Sequence, residues 1–187
     1  MASFRAAASA LALAMACAWA SAAAAEGFAE FNSKGLPGSE GIVVRVRHPA
    51  GWKKVPIEDA LAIAELRGTQ GRLAGILQVG RGQHRSGVDA LCAPDRARTM
   101  LQKLSGDESD TRVTDVVARK TDGRAGYEIR YERNHAPDFL GVRSAIVCLK
   151  NSRVLVSCGA EGTNRAALAG IEPVCRQVLD SVRIAED

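Results

Sequence analysis

Residues 144–158 read SAIVCLKNSRVLVSC: two apolar runs, each carrying a cysteine, on either side of a polar Lys-Asn-Ser-Arg. The pattern predicts a β-hairpin. With Asn151-Ser152 as a two-residue loop, Cys148 faces Leu155 and Ala145 faces Cys158. Opposed residues share a face and successive residues alternate. Cys158 then joins Ala145, Val147, Leu149, Val154 and Val156, whereas Cys148 joins Ser144, Ile146, Leu155 and Ser157 on the other face. A disulfide needs its Cβ atoms about 3.5–4.5 Å apart, so in this register the two cysteines do not bond each other. A three-residue loop would put both on one face and reverse that conclusion.

Their partners are then Cys92 and Cys175, each in a helical pattern. In residues 86–104, Val88, Leu91, Cys92, Met100, Leu101 and Leu104 recur at three- and four-residue steps, with Pro94 as a kink or second start. At the C-terminal end, EPVCRQVLDSVRI has Pro173 in a first helical turn and an apolar stripe of Val174, Cys175, Val178, Leu179 and Val182. Two pairings remain open. Proximity in sequence, and the match of this stripe to the apolar face holding Cys158, favour Cys158–Cys175 with Cys92–Cys148. That arrangement needs a helix on each side of the sheet.

Outward from the hairpin, IVVRVRHP predicts a strand over Ile42–His48, closed by the turn PAGWKKVP. ALAIAELR, residues 60–67, carries helix start and stop signals. It also lies one short loop, GTQG, from the strand-like RLAGILQVG, and is expected to form a hairpin with it. Thr111–Lys120 is a strand, and Asp122-Gly123 is a hairpin turn. YEIRYER follows with Tyr127, Ile129 and Tyr131 on one face and Glu128, Arg130 and Glu132 on the other, the second face expected in water. NHAPDF is expected to be irregular. Strands, a helix, four strands and a helix make an α+β fold, an antiparallel sheet with helices packed on it.

The first residues, MASFRAAASALALAMACAWASAAAAEGF, have one charge, Arg5, before Glu26. A positive start, an apolar tract and a small-residue end at Ala23-Ala24-Ala25 read as a secretory signal peptide over 1–25, cleaved between Ala25 and Glu26, with Ala23 as the alternative site. A membrane anchor and lipidation at Cys17, whose Ala14-Met15-Ala16 lead only partly fits a lipobox, are the minority alternatives. The expected location is the periplasm or outside the cell. About 160 residues remain, enough for one domain with a real core; residues 26–40 read as a loose lead-in and 41–187 as the domain. Cleavage removes Arg5 and lowers the formal net charge of +4 by one. Interleaved charges without a run of five of one sign speak against a nucleic-acid surface. Cleavage also leaves four cysteines, an even number for an oxidising compartment, and no Cys-x-x-Cys.

Chemical motifs are scarce. There is no Gly-x-Ser-x-Gly elbow and no phosphate loop, and Gly80-Arg81-Gly82 lacks the third glycine of a dinucleotide loop. Glu132, Asn134, His135 and Asp138 cluster in ERNHAPDF, where a carboxylate beside an imidazole can poise a base or hold a metal; a polar loop explains the same residues. Trp52 is a candidate recognition aromatic or a core cap. Trp52, His135 and Asp138 are therefore the binding candidates. No catalytic residue, metal site or cofactor is expected.

RVRHPAGWKKV, GRAGYEIRYER, SAIVCLKNSRVLVSCGA and IEPVCRQVLDSVRI together resemble the PsbP/Mog/DcrB-like superfamily, over about half of the chain that follows the signal peptide. The resemblance implies an antiparallel sheet sandwiched by helices, α/β/α. Members are mostly non-catalytic: extrinsic photosystem subunits, a Ran-binding protein, bacterial envelope and secretion-adaptor proteins. No functional residue carries over. The function expected is an exported accessory or binding module with a protein or envelope partner. The alternatives are a small periplasmic hydrolase using the Glu132–Asp138 loop and an immunity-type inhibitor of a toxin.

Overall fold

The hairpin that decides the sequence reading forms, two residues out of the expected register. In the computed structural model, which describes residues 27–57, 59, 61–83, 92–93, 95, 97–99, 111–135, 138–162 and 169–186, Cys148 lies opposite Arg153, and Arg143 opposite Cys158. The Leu149 N–H donates to the Ser152 carbonyl at 2.8 Å, so the loop is Lys150-Asn151. A shift of two leaves every side chain on its face, because side chains alternate with a period of two.

In chain order the strands are β1 (Phe28–Asn32), β2 (Ile42–Pro49), β3 (Lys53–Val55), β4 (Ala62–Gln70), β5 (Leu73–Gln83), β6 (Thr111–Thr121), β7 (Arg124–His135), β8 (Asp138–Cys148), β9 (Ser152–Gly162) and β10 (Arg183–Glu186); helix α1 (Glu172–Asp180) precedes β10. A seven-stranded sheet has the order β3-β4-β5-β9-β8-β7-β6, and a three-stranded sheet the order β1-β2-β10. All pairings are antiparallel. The fold is α+β.

One face of the large sheet, with Leu77, Val79, Ala145, Val147, Val154, Val156 and Cys158, is buried under α1 and the small sheet. The other face, with Tyr127, Ile129, Ile146 and Val116, packs with Ala97. Asp95 and Ala97–Thr99 are helical, while most of the helix expected over 86–104, Pro94 included, lies outside the described residues. Cys158 is bonded to Cys175 and Cys92 to Cys148, with Cα–Cα distances of 5.2 and 5.8 Å. Each face of the sheet thus carries one crosslink.

Five expectations change. Residues 28–32 are not a loose lead-in but strand β1, because all five pair with β2 and Phe31 packs into the core. The β4–β5 loop is Gly71-Arg72 rather than GTQG, with Gln70 opposite Leu73 and Gly71 at a φ of 61°. The closing helix stops at Asp180, and the last residues form β10, pairing with β2 while the Ile184 N–H donates to Asp122 Oδ2 at 2.8 Å. One covering layer is therefore helix plus sheet rather than helices alone. NHAPDF is largely strand, with Asn134 opposite Phe139 and His135 opposite Asp138. The Asp122-Gly123 turn forms where expected, with φ of 52° and 75° as a primed hairpin turn requires.

Candidate functional site

The fifth difference lies on β7. Alternation puts Glu128 on the face opposite Tyr127 and Ile129, but that face is not in water there: Glu128 is 4% exposed. The pairing of β7 with β8 sets Arg130 directly opposite Arg143, two like charges side by side. Glu128 resolves the conflict. Its Oε1 accepts from Arg143 Nε and, at 3.3 Å, from Arg130 Nε, and its Oε2 accepts from Arg119 Nη1 at 2.7 Å.

Two of these arginines continue to α1. Arg143 Nη1 donates to Glu172 Oε1 at 2.6 Å, and Arg119 Nη2 donates to Asp180 Oδ1 at 2.6 Å. Glu172 lies in the first turn of α1, where a carboxylate suits the helix dipole, and Asp180 in the last, where it does not. Arg119 compensates the misplaced charge. Both ends of α1 are thereby tied to one buried carboxylate, and the Cys158–Cys175 crosslink fastens the same helix to β9.

Burial pushes the Glu128 carboxyl up, but the hydrogen bonds and charges of Arg143 and Arg119 outweigh it and hold the group below the usual carboxylate range. A carboxylate whose pKa is depressed by folding stabilises the fold above its unfolded value, and that contribution disappears as pH falls through the folded value. The stability difference between the wild type and Glu128→Gln should therefore be fully developed above about pH 5 and shrink on acidification below about pH 4. Denaturant titrations across that range check it; a difference unchanged in acid would contradict the assignment.

A cavity of about 120 Å³ lies beside this network, between the start of α1 and strands β6 to β9, with Thr114, Arg130, Tyr131, Glu132, Arg143 and Glu172 in its walls. It is room for a few waters, against the roughly 300–1,000 Å³ of ordinary ligand pockets. An open depression of about 420 Å³ runs along the outer side of α1 past Pro173, Arg176 and Gln177. The chemistry of the cavity is limited. Tyr131 adds no phenol to it: its side chain packs with Tyr127 and Ile129 on the other face of the sheet, where burial raises the phenol above its ordinary value, partly offset by Ser144 and Arg133. The Thr114 hydroxyl donates to the Arg130 carbonyl at 3.1 Å. Among the described residues no three His, Cys, Asp or Glu side chains group as a metal site.

The binding candidates read from sequence do not converge here. Trp52 is 2% exposed and packs in the main core. Its indole lies across Gly68 and Gly75, which face each other on β4 and β5. His135 and Asp138 oppose each other on β7 and β8, three residues beyond the cavity-lining Glu132 and Gly141. Ala25, Glu26 and Cys17 lie outside the described residues. The Glu128 network was not singled out from the sequence. The available signal is Arg143, which alternation puts on the apolar face of Ala145 and Val147, where a guanidinium requires a carboxylate.

No protein-family model and no curated protein matches the sequence. Solved structures do match the fold. Cyanobacterial PsbP (CyanoP) from Synechocystis sp. PCC 6803 superposes with a TM-score of 0.57 at 14% identity, over 86% of this chain and 94% of that one. LpqN, involved in cell envelope biogenesis of Mycobacterium tuberculosis, gives 0.56 at 11% identity, over 84% and 91%. The Saccharomyces cerevisiae Ran-binding protein Mog1p gives 0.53 at 11% identity, over 85% and 96%. The chain has the PsbP/Mog1-like fold. Among the described residues no helix is long and apolar enough to cross a membrane.

Proposed function

We propose that this chain is an exported accessory or binding module of the bacterial envelope, without catalytic activity, whose ligand is a protein or envelope partner. In this reading residues 1–25 are a signal peptide and the chain from Glu26 onward is the working protein in the periplasm or outside the cell. The observation that carries the reading is how the charges beside the cavity are used. Arg119, Arg130 and Arg143 converge on Glu128, and two of them extend to Glu172 and Asp180. Groups occupied in this way hold a helix to a sheet, and none of them is poised to move a proton. LpqN acts in envelope biogenesis and Mog1p binds Ran; a role by contact rather than turnover is in keeping with both.

The test is affinity capture with the disulfide-bonded chain from Glu26 as bait, in periplasmic extract of its own organism. A specific partner should be retained, and equally by His135→Ala, because in this reading no function rests on the Glu132–Asp138 loop. A hydrolytic activity that His135→Ala abolishes while the melting temperature holds would overturn the reading in favour of an enzyme.

A further inference from the structure

We propose that β6 is a docking edge for a second copy of this chain, the two β6 strands pairing antiparallel about a two-fold axis at Val117. β6 is an eleven-residue strand at the end of the seven-stranded sheet, and among the described residues no strand pairs with its outer side. Such an edge is a template for another strand, and proteins that stay monomeric usually blunt it. Here a bulge at Thr114 bends the strand near its start, leaving Asp115–Arg119 as a regular stretch.

The register follows from the side chains. In an antiparallel pair opposed residues share a face, so a two-fold pairing of β6 with itself is centred on a residue. Centring on Asp115 opposes two carboxylates, and centring on Arg119 opposes two guanidinium groups. Centring on Val116 sets Arg112 against Lys120, and centring on Ala118 sets Val117 against Arg119. Centring on Val117 opposes Asp115 to Arg119 twice, Val116 to Ala118 twice, and Val117 to itself. Of these five registers it alone matches opposite charges and covers apolar with apolar, the pairings that stabilise a sheet.

Val117 is 41% exposed, at the outer edge of the face that carries its cross-strand partner Glu128; a second Val117 across the axis covers it. Arg119 has capacity for the added carboxylate. Nε donates to Thr121, Nη1 to Glu128 and Nη2 to Asp180, leaving two of the five guanidinium donors. Arg98 Nη2 donates to the Val116 carbonyl at 2.7 Å, and that oxygen keeps a second lone pair. The strand can meet its copy through bonds at Val117, or through Val116 and Ala118, whichever set of amides turns outward.

Sedimentation velocity over a concentration series of the disulfide-bonded chain tests this. The wild type should shift with concentration towards twice the monomer mass. Val117→Lys, which places two ammonium groups on the axis, should remain monomeric throughout, and so should Asp115→Lys, which meets Arg119 with a like charge. Both should keep the wild-type melting temperature measured at low, monomeric concentration. In oxidising buffer Val117→Cys should give a covalent dimer on a non-reducing gel, while Lys120→Cys, set opposite Thr114, should not. A wild type that is monomeric at every concentration overturns the proposal. So does a dimer that persists in both lysine variants.

Discussion

Glu128→Gln should destabilise the protein by about 3–5 kcal/mol at neutral pH, the usual cost of removing one partner from a buried ion pair. Arg143 is 6% exposed and, among the described residues, keeps the Glu172 carboxylate after the change, while Arg130 stays directly opposite it without a shared carboxylate. The double variant Glu128→Leu/Arg143→Met should recover most of the loss, because replacing both members of a buried pair with apolar groups is often nearly neutral. Chemical denaturation of the two variants and of Arg143→Met alone completes the cycle. A loss below about 1 kcal/mol would mean that water screens the network as it does at a surface.

Trp52→Ala is expected to cost a similar amount, about 3–5 kcal/mol, as for other buried large-to-small aromatic changes. The cause is the seat beneath the ring. A Cβ on Gly75 would lie 2.8 Å from Trp52 Cε2, and one on Gly68 only 2.9 Å from Trp52 Cα, so the β4–β5 hairpin accepts the indole only because that cross-strand pair is glycine. Gly75→Ala should therefore be severe beside Trp52 and mild beside Trp52→Ala, where the space is vacated. Trp52→Phe should cost less than Trp52→Ala, since the indole N–H it removes has no hydrogen-bond partner among the described residues. Equal effects of Gly75→Ala in both backgrounds would contradict the packing.

The sequence shows some of these features and hides others, for physical reasons. The side of the sheet on which each cysteine falls depends only on the parity of the hairpin register, so a two-residue error in the β8–β9 loop does no harm. The Asp122-Gly123 turn is legible because both positions need left-handed backbone. β1 is hidden because a five-residue strand whose burial is largely confined to Phe31 has almost no pattern, and it exists through pairing with β2. β10 is hidden because Val182 continues the helical stripe of α1, while Asp122, sixty-two positions before Ile184, claims that residue's N–H for the small sheet. The Glu128 network is hidden for the same kind of reason. Alternation separates Glu128 from Tyr127, but only the β7–β8 register brings Arg143 to it and only the position of α1 brings Glu172 and Asp180.

The central claim is an exported module built on a two-sided sheet with one crosslink on each face. Non-reducing peptide mass mapping of the protein recovered from the periplasm tests it most directly. The expected result is a chain beginning at or near Glu26, with one linked peptide pair containing Cys92 and Cys148 and another containing Cys158 and Cys175. A Cys148–Cys158 peptide would put both cysteines on one face, a Cys92–Cys175 peptide would bring both covering layers to one side, and a retained Met1 with free thiols would place the protein in a reducing compartment; each contradicts the account.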